Sequence, residues 1–256
     1  MLLTGKDNPN LKLIRSLAAK SGRKKAAAFT AEGKRLVAEA VTYAADRIQF
    51  FAISEEFEKK DTNFIKMLDE TGKTIYTVKE NLFRDACATE HPQGVLAVMN
   101  TEGAPAADMN SVRFLLILDG VSEPGNLGTI IRTAEAAGVE AVLLCGDCAD
   151  IYNPKTVRAT MGSLFRVPLL FGGREELLRL KENGFCLLAA ALDGTEENIV
   201  FPPNAKRAVV IGNEAHGVSD EVLRLVDTRL RIPMHGKVES LNAAVAAGIL
   251  MYRFAN

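Results

Sequence analysis

The chain has 256 residues, of which 48% are hydrophobic, and its 31 basic and 32 acidic residues leave a formal net charge of −1. This size allows one large or two ordinary domains with a substantial core, and the balanced overall charge gives no indication for or against nucleic acid. No apolar stretch is long enough for a membrane span, the N-terminus lacks a signal-peptide pattern, and four scattered cysteines make no disulfide framework, so the expected location is cytoplasmic.

The first predicted element is a basic helical segment at the N-terminus. Residues 1–35 carry nine basic and two acidic side chains, a local charge of +7, whereas residues 36–100 carry seven basic and eleven acidic ones. This asymmetry indicates a surface that binds a polyanion. A solvated surface helix is the alternative that charge alone leaves open.

Residues 1–99 are predicted to form a small α/β domain. The short apolar runs Phe50–Ser54 and Gly94–Met99 are typical of strands. Between them, the segment NFIKMLDETG has the period of an amphipathic helix, which Gly72 is expected to end.

Residues 100–111 lose this periodicity and gather Gly, Pro, Asn and Ser, so they are predicted to be a linker to a second domain over residues 112–256. There, helical segments alternate with the apolar runs FLLILDG, VEAVLLCG, RVPLLFG, FCLLAAALDG, AVVIGNE and LRIPM. Continuous apolarity predicts strands covered on both faces, hence a parallel sheet with flanking helices. Ligands of such sheets bind at the carboxyl ends of the strands, so a site is expected in the loops after these runs.

The first of these loops opens the stretch DGVSEPGNLGTIIRTAEAAG (Asp119–Gly138). Asn126 is predicted to cap the helix that follows. Arg132 lies one turn after Gly128, so its guanidinium can reach back to the helix N-terminus, which is an anion-binding end. An exposed Arg132–Glu135 pair is the alternative. The glycines lack the usual nucleotide-binding spacings. The predicted core face of the helix consists of Leu127, Ile130, Ile131 and Ala134.

Cys145 and Cys148 form a CxxC motif at the end of a predicted buried strand. No second cysteine pair and no histidine lies near them in sequence, so a metal or redox role is the less favoured interpretation.

The second loop, VVIGNEAHGVS (Val209–Ser219), brings an amide, a carboxylate and an imidazole behind a predicted strand, which is typical of a site. His216 is expected to be an ordinary loop histidine and not a metal ligand.

The third loop leads from Ile232 into a helix that is apolar from Leu241 to Met251. A helix that is apolar all round needs cover on several sides, so part of it is expected to pack against another subunit. Ser240 and Asn242, at its start, suit a helix N-terminus or a ligand.

Three stretches, GNLGTIIRTAEAAG, IGNEAHGVS and IPMHGKVESLNAAVA, resemble in sequence and order the motifs of the SpoU (TrmH-like) family of RNA ribose 2′-O-methyltransferases, a branch of the knotted SPOUT class. The resemblance covers the chain from about Val112 to the C-terminus. The segment NPKTVRATMGSLFRVP (Asn153–Pro168) is similar to one that these enzymes carry between the first two motifs. Residues 1–98, with NPNLKLIRSLA, AEGKRLVAEA and HPQGVLAVM, resemble the family's RNA substrate-binding domain.

This resemblance implies a parallel sheet whose last segment threads a loop to form a deep trefoil knot, although threaded chains are rare. It also implies a homodimer and binding of S-adenosylmethionine among the knotted loops, with no metal. The cofactor contacts expected by resemblance are Ala191, Gly212, Ile232 and Leu241. These residue types fit, since glycine admits close backbone approach and the larger apolar side chains can cover an adenine.

The family's catalytic set carries over by resemblance as Asn126, Arg132, Glu214, Ser240 and Asn242. In the implied reaction, a ribose 2′-oxygen attacks the sulfonium methyl group, so the site must align the hydroxyl and stabilise the charge that develops on oxygen. A guanidinium stays protonated in proteins and can only donate, so Arg132 is expected to clamp phosphate and alkoxide, not to act as a base. Glu214 could orient Arg132 or take the proton.

The separate N-terminal domain favours a structured ribosomal RNA over transfer RNA as the partner. Three alternatives stay open at this point: a transfer-RNA ribose methyltransferase, a SPOUT enzyme that methylates a base nitrogen, and a non-catalytic RNA-binding protein on the same fold.

Overall fold

The computed structural model describes residues 2–3, 5–195, 199–202 and 204–255. By its contacts the chain divides into two units: Met1–Ala104 with Asp150–Phe165, and Pro105–Ala149 with Arg166–Asn256. The predicted linker at residues 100–111 lies where the first unit gives way to the second. The segment Asp150–Phe165 then packs with the first unit, although the sequence-based division assigns it to the second domain.

Strands and helices alternate along most of the chain. The strands are β1 (Leu2–Leu3), β2 (Ala28–Glu32), β3 (Ile48–Ser54), β4 (Thr74–Val78), β5 (Val95–Asn100), β6 (Phe114–Asp119), β7 (Ala141–Cys145), β8 (Leu169–Phe171), β9 (Cys186–Thr195), β10 (Arg207–Gly212) and β11 (Thr228–Leu230). The α-helices are α1 (Pro9–Ser16), α2 (Lys20–Ala26), α3 (Lys34–Tyr43), α4 (Glu55–Lys60), α5 (Thr62–Asp69), α6 (Glu80–Ala86), α7 (Pro124–Ala136), α8 (Pro154–Thr160), α9 (Arg174–Glu182), α10 (Asp220–Leu223) and α11 (Ala243–Phe254).

The first unit contains a five-stranded mixed sheet in the order β1-β4-β3-β5-β2. β1, β4 and β3 run parallel, and β5 is antiparallel to both β3 and β2. The predicted strands at Phe50–Ser54 and Gly94–Met99 correspond to β3 and β5, and the predicted amphipathic helix is α5. The expectation of an α/β module in this part of the chain is therefore confirmed.

The segment Asp150–Phe165 is held in the first unit by a buried ion pair and an aromatic stack. Arg23 donates to Asp150 Oδ2 from Nε at 3.0 Å and from Nη2 at 2.6 Å, while its Nη1 donates to the carbonyl oxygens of Leu17 and Ala18. The Tyr152 ring stacks on Phe29 with 4.6 Å between ring centroids. Helix α8, in the same segment, packs against β2.

The second unit contains a six-stranded sheet in the order β11-β9-β10-β6-β7-β8, and every neighbouring pair is parallel. All residues of β6, β7 and β10 are buried, as continuous apolar runs require when helices cover both faces. The predicted parallel sheet with flanking helices is confirmed. The trefoil knot stays a prediction.

One predicted strand is misplaced and three strands were missed. LRIPM was expected to be a strand, but β11 ends at Leu230, and residues 231–242 form the loop before α11. The missed strands are β1, β2 and β4. β2, with the sequence AFTAE, has no continuous apolar run, although Thr30 and Glu32 are both buried. The Glu32 carboxylate accepts hydrogen bonds from the Ala88 N–H and the Thr89 hydroxyl.

Within the described ranges, no helix combines the length and the apolar character that crossing a lipid bilayer requires.

Candidate active site

Loops of the second unit meet at the carboxyl edge of its sheet, because all six strands run parallel. β6 and β10 are neighbours whose last residues, Asp119 and Gly212, pair in register. The loop after β6 therefore starts beside the loop after β10. A third loop, residues 231–242, leads from β11 to α11. Ligands of parallel sheets bind at this edge.

The prediction that Asn126 caps α7 is wrong. The helix begins at Pro124, and the Glu123 side chain caps it by accepting a hydrogen bond from the Asn126 backbone N at 2.7 Å. Proline suits the first helical position, because its missing N–H has no partner there and its φ is already helical. The Asn126 amide is thus left for other contacts. The core face is as predicted, since Leu127, Ile130, Ile131 and Ala134 are fully buried.

The Glu214 carboxylate, in the loop after β10, accepts four hydrogen bonds from residues 122–126, which lie just before and at the start of α7. Oε1 accepts from Asn126 Nδ2 at 2.9 Å and from Glu123 N at 3.2 Å. Oε2 accepts from the backbone N and the hydroxyl of Ser122, each at 3.1 Å. Burial raises the pKa of Glu214, but these hydrogen bonds outweigh it and lower the pKa below its usual value. Glu214 is therefore an ionised acceptor at neutral pH.

Asn242 joins the start of α11 to the start of α7. It is the N-cap of α11, and its Oδ1 accepts from the backbone N of Ala244 at 2.9 Å and of Val245 at 3.4 Å. Its Nδ2 donates to Asn126 Oδ1 at 2.9 Å. The structure thus brings together three of the five predicted catalytic residues: Asn126, Glu214 and Asn242.

The partners at both ends of this chain of hydrogen bonds determine how the two amides point. A backbone N–H can only donate, so it fixes Asn242 Oδ1, and an ionised carboxylate can only accept, so it fixes Asn126 Nδ2. Each Nδ2 carries two hydrogens and uses one of them in the contacts given above. Among the described residues, no partner takes the second N–H of either amide. The cluster therefore offers two spare donors.

A cavity of about 480 Å³ adjoins this cluster in the second unit. Its lining includes all four residues predicted to contact the cofactor, Ala191, Gly212, Ile232 and Leu241, and two of the predicted catalytic residues, Glu214 and Ser240. The loop residues on either side of Glu214 contribute as well, from Asn213 to Val218.

Gly212 is required by the backbone of the loop after β10. Asn213 and Gly217 form an antiparallel bridge, which turns the chain back over β10. A Cβ atom at Gly212 would lie 2.1 Å from the carbonyl carbon of Gly217 and from the backbone N of Val218. A side chain there would force the loop open, so glycine serves a close approach within the chain itself.

Ser240 and Arg132 make no hydrogen bond to the cluster within the described residues. Ser240 is exposed on the loop before α11 and lines the cavity. Arg132 is exposed on α7, and within the described part of the chain its side chain makes neither a hydrogen bond nor an ion pair. Glu135, its alternative partner, instead forms an ion pair with Arg166, whose Nη2 donates to Oε2 at 3.0 Å.

Two further residues organise the cluster: Asn213, whose amide the sequence analysis placed in the second loop without assigning it a partner, and Ser122, which sequence reasoning missed. Asn213 Nδ2 donates to the Gly120 carbonyl oxygen at 2.8 Å and to the Ser122 hydroxyl at 3.3 Å. Its Oδ1 accepts from the backbone N of Ala215 and His216. The signal for Ser122 was its position three residues after a buried strand of the parallel sheet, since serine as a residue type does not indicate a site.

The basic N-terminal segment forms a helical corner, α1 followed by α2, in the first unit. Lys20, Lys24 and Lys25 on α2 are exposed, and within the described residues they make no hydrogen bond or ion pair. Arg23 is different, because it is only 4% exposed and pairs with Asp150. Arg23 therefore cannot belong to a polyanion-binding surface, and only three of the four cations of α2 are available.

The CxxC cysteines are free thiols. Burial raises the pKa of Cys145 to about 12, and burial also raises the pKa of Cys148. The Cys148 thiol donates to the carbonyl oxygens of Leu118 and Cys145. Protonated, hydrogen-bonded thiols are poor nucleophiles and poor metal ligands. No group of three or more His, Cys, Asp or Glu side chains suited to a metal ion occurs in the described part of the chain.

Comparison with known proteins assigns both units. The profile of the SpoU rRNA Methylase family matches residues 113–252, and that of the MRM3-like substrate binding domain matches residues 8–97. The chain is 36% identical to the Bacillus subtilis 23S rRNA (guanosine(2553)-2′-O)-methyltransferase RlmP over 246 residues, which cover 96% of this chain and 95% of RlmP.

Two solved structures of methyltransferases superpose on nearly the whole chain. An AdoMet-bound rRNA methyltransferase from Sinorhizobium meliloti superposes with a TM-score of 0.83 at 28% identity, covering 99% of this chain and 96% of that one. The SpoU methyltransferase AviRb from Streptomyces viridochromogenes, in complex with AdoMet, superposes with a TM-score of 0.81 at 27% identity, covering 96% of each chain.

Proposed function

Because the chain belongs to the SpoU rRNA Methylase family and is an S-adenosylmethionine-dependent RNA 2′-O-methyltransferase, we propose that it methylates a ribose of ribosomal RNA at the cluster of Asn126, Glu214 and Asn242. The observation that carries this proposal is the pair of oriented amides beside a cavity of cofactor size. The relative RlmP, which matches nearly end to end, is named for a 23S ribosomal RNA ribose, and this supports the choice of RNA.

The cavity fits S-adenosylmethionine in size and in chemistry. Its volume of about 480 Å³ lies in the range of small-molecule sites. Ile232 and Leu241 are apolar and suit an adenine, while Asp193 and Glu239 bring carboxylates that suit a cation carrying an amino group and a sulfonium. When bound, the cofactor supplies an electrophilic methyl group. The chain's part is to hold it and to present the RNA hydroxyl to it.

Asn126 and Asn242 act on the ribose 2′-oxygen. A hydroxyl that attacks a methyl carbon develops negative charge as its proton leaves, and preorganised donors aimed at that charge lower the barrier. The spare N–H groups of the two amides are such donors, and their orientation is set before substrate arrives. Ser240, on the cavity wall, is a third polar group that can orient the ribose.

Glu214 is a positioning residue in this proposal, not the proton acceptor. Its four hydrogen bonds occupy both oxygens, and its lowered pKa makes it a weak base. Glu214 was expected to orient Arg132 or to take the proton, but none of the four donors to Glu214 belongs to Arg132. Water is the acceptor for the proton.

Arg132 is proposed to clamp an RNA phosphate beside the target ribose. Its exposed guanidinium is available to a ligand, and its planar fork matches a phosphate oxygen pair. Because no described hydrogen bond ties it to Glu214 or Asn126, it can serve a second subunit's site as readily as its own.

A homodimer is proposed on the exposed apolar stripe of α11. Val245, Ile249 and Tyr252 follow at i, i+4 and i+7, and they are 50%, 43% and 59% exposed. Helices α11 and α7 pack together, so this stripe and Arg132 belong to one helical layer. A second copy would cover the stripe. A stable, active monomer in sedimentation at micromolar concentration would reject the dimer.

The three lysines of α2 are proposed to bind RNA phosphates. They are exposed and unpaired by described residues, and they lie within the match to the substrate binding domain. Neutralised phosphates release counterions, so this contribution weakens as salt rises.

Transfer of labelled methyl groups to purified RNA tests the function. Ribosomal RNA and transfer RNA from cells lacking the gene serve as substrates, and mass spectrometry of the digested product identifies a ribose-methyl or a base-methyl nucleoside. Ribose methylation confined to ribosomal RNA is expected. Label confined to transfer RNA, a base-methyl product, or no transfer at all would each contradict the proposal in a different way.

A further inference from the structure

We propose that Ser122 is a positioning residue for methyl transfer: its hydroxyl holds the Glu214 carboxylate in the orientation that in turn fixes the Asn126 amide. This inference rests on the proposed function, because it assigns Ser122 to the same site. It adds to the proposed site a residue from the loop between β6 and α7.

The Ser122 side chain joins two loops that come from adjacent strands. Its Oγ donates to Glu214 Oε2 at 3.1 Å and accepts from Asn213 Nδ2 at 3.3 Å. Its backbone N also donates to Glu214 Oε2 at 3.1 Å. Ser122 thus accounts for both hydrogen bonds on Oε2, whereas Oε1 is shared between Glu123 and Asn126.

The hydroxyl matters because the Oε2 bonds determine how Oε1 faces Asn126. Each donor on the carboxylate restricts its rotation about the terminal bond, and all four together keep Oε1 2.9 Å from Asn126 Nδ2. If the Asn126 amide flipped, its Oδ1 would face a carboxylate oxygen, which is repulsive. Removing the Ser122 hydroxyl leaves Oε2 with the Ser122 backbone N as its one donor, while Asn213 Nδ2 keeps the Gly120 carbonyl oxygen. The weaker hold on Oε2 widens the rotation of the Glu214 carboxylate, so the Asn126 amide, whose spare N–H is aimed at the ribose oxygen, becomes less strictly oriented.

Two features separate this role from ordinary packing. Ser122 is exposed, so truncating it to alanine opens no cavity in the core. Its partners are polar and lie on loops, so the β6–β10 pairing does not depend on its hydroxyl. The loss should therefore appear in turnover and not in folding.

The test uses the full-length protein with Ser122→Ala, Ser122→Thr and the control Ser111→Ala, which removes an exposed hydroxyl that donates to the Asp108 carbonyl oxygen. Ser122→Ala is expected to lower kcat about tenfold, the scale of one hydrogen bond to a charged group, and to leave the Kd of S-adenosylmethionine and the Tm unchanged. Ser122→Thr should restore kcat, and Ser111→Ala should not change it.

A double-mutant cycle with Glu214→Gln shows whether Ser122 acts through Glu214. Ser122→Ala is expected to have little further effect on kcat in the Glu214→Gln background. Equal effects in both backgrounds, an unchanged kcat in Ser122→Ala, or a failure of threonine to rescue would overturn the proposal.

A readout without turnover keeps this inference separate from the proposed function. The Asn126 side-chain amide, identified in ¹⁵N spectra by its loss in Asn126→Asp, should be sharp in the wild-type protein and broadened in Ser122→Ala. An unaltered amide signal would overturn the inference whatever the substrate is. Wild-type protein that transfers no methyl to RNA would instead refute the proposed function, while the amide signal would still decide the role of Ser122.

Discussion

Asn242 and Asn126 are 116 positions apart in the chain, yet Asn242 Nδ2 donates to Asn126 Oδ1 at 2.9 Å. The bond joins the N-termini of α11 and α7, and it continues through Asn126 Nδ2 to Glu214. The N-cap of one helix therefore sets the polarity of an amide in the first turn of another. This arrangement makes the cluster a donor site, which is the kind of site a developing alkoxide requires.

Asn126→Asp is expected to lower kcat by about 100-fold or more, the scale seen when one transition-state donor is lost. The new carboxylate would face Glu214 and repel it, and it could no longer donate to the ribose oxygen. The Kd of S-adenosylmethionine should stay within about threefold of wild type, since the cavity lies to one side. Single-turnover methyl transfer and calorimetry measure the two quantities. Asn110→Asp, an exposed site in the same unit, is the control; equal losses in both variants would point to charge alone.

Glu214→Gln is expected to destabilise the protein at neutral pH but not in acid. The folded-state pKa of Glu214 is lowered, so ionisation favours the folded state above the unfolded pKa, and this contribution is lost as pH falls through the folded value. Urea unfolding at pH 7 should separate the wild type from the variant. The gap should begin to narrow below about pH 4, where free glutamate protonates, and should close once pH has fallen through the lowered folded-state pKa. A gap that persists unchanged at pH 3 would mean that the carboxylate charge is not what holds the loops.

Arg132→Ala is expected to lower turnover on RNA by roughly 100-fold, because a ribose held slightly out of line reacts that much more slowly, with S-adenosylmethionine bound as before. Arg132→Lys keeps the charge but loses the planar fork, so it should recover only part of the activity. If the arginine were merely a solvated surface group, Arg132→Ala would cost at most about 1 kcal/mol of stability and leave turnover intact. Arg224→Ala, another exposed arginine of the second unit, is the matched control for lost surface charge.

Replacing Lys20, Lys24 and Lys25 with alanine should weaken RNA binding and reduce the slope of log Kd against log salt by about 2 to 3. Three fewer phosphates would be neutralised, while kcat at saturating RNA should not change. Filter binding between low and moderate salt gives the slope. A triple variant at Lys59, Lys60 and Lys79 removes the same charge from exposed positions of the first unit elsewhere. Identical slopes in the two triple variants would mean that α2 is an ordinary solvated surface helix and not an RNA-binding surface.

Arg23→Ala is expected to behave unlike its lysine neighbours. It would leave the Asp150 carboxylate without its buried partner, and breaking such a pair costs about 3–5 kcal/mol. Thermal unfolding of the first unit should therefore shift strongly, whereas the alanine variants of the lysines should unfold like the wild type. A variant as stable as wild type would mean that Asp150 finds another donor or water.

The parallel sheet of the second unit was largely predictable from the sequence, and the cluster was predictable only in part. The run FLLIL is apolar without interruption, and a strand covered on both faces is the element that buries such a run, so β6 follows from the pattern. Glu32 ends a strand that the same rule overlooks, because its carboxylate is satisfied by two donors from a distant loop. Long-range hydrogen bonds of this kind leave no local trace.

The same limit applies to the start of α7. Asn126 is a good capping residue by type, but proline two positions earlier and Glu123 before it begin the helix sooner. What frees the Asn126 amide is thus local, whereas what then engages it, Glu214 and Asn242, comes from 88 and 116 residues away. The resemblance to the family's motifs identified these residues. Their contact with one another follows only from the fold.

The return of Asp150–Phe165 to the first unit has a consequence for synthesis on the ribosome. N-terminal regions usually fold first as a chain emerges, yet the first unit here is not complete until residue 165 has been made, well into the second unit. Until then Arg23 lacks Asp150, and Phe29 lacks the Tyr152 ring that stacks on it. The first unit therefore stays incomplete while β6, α7 and β7 emerge. A truncated product that stops before Asp150 would expose the Arg23 guanidinium and the Phe29 ring, which the complete chain covers.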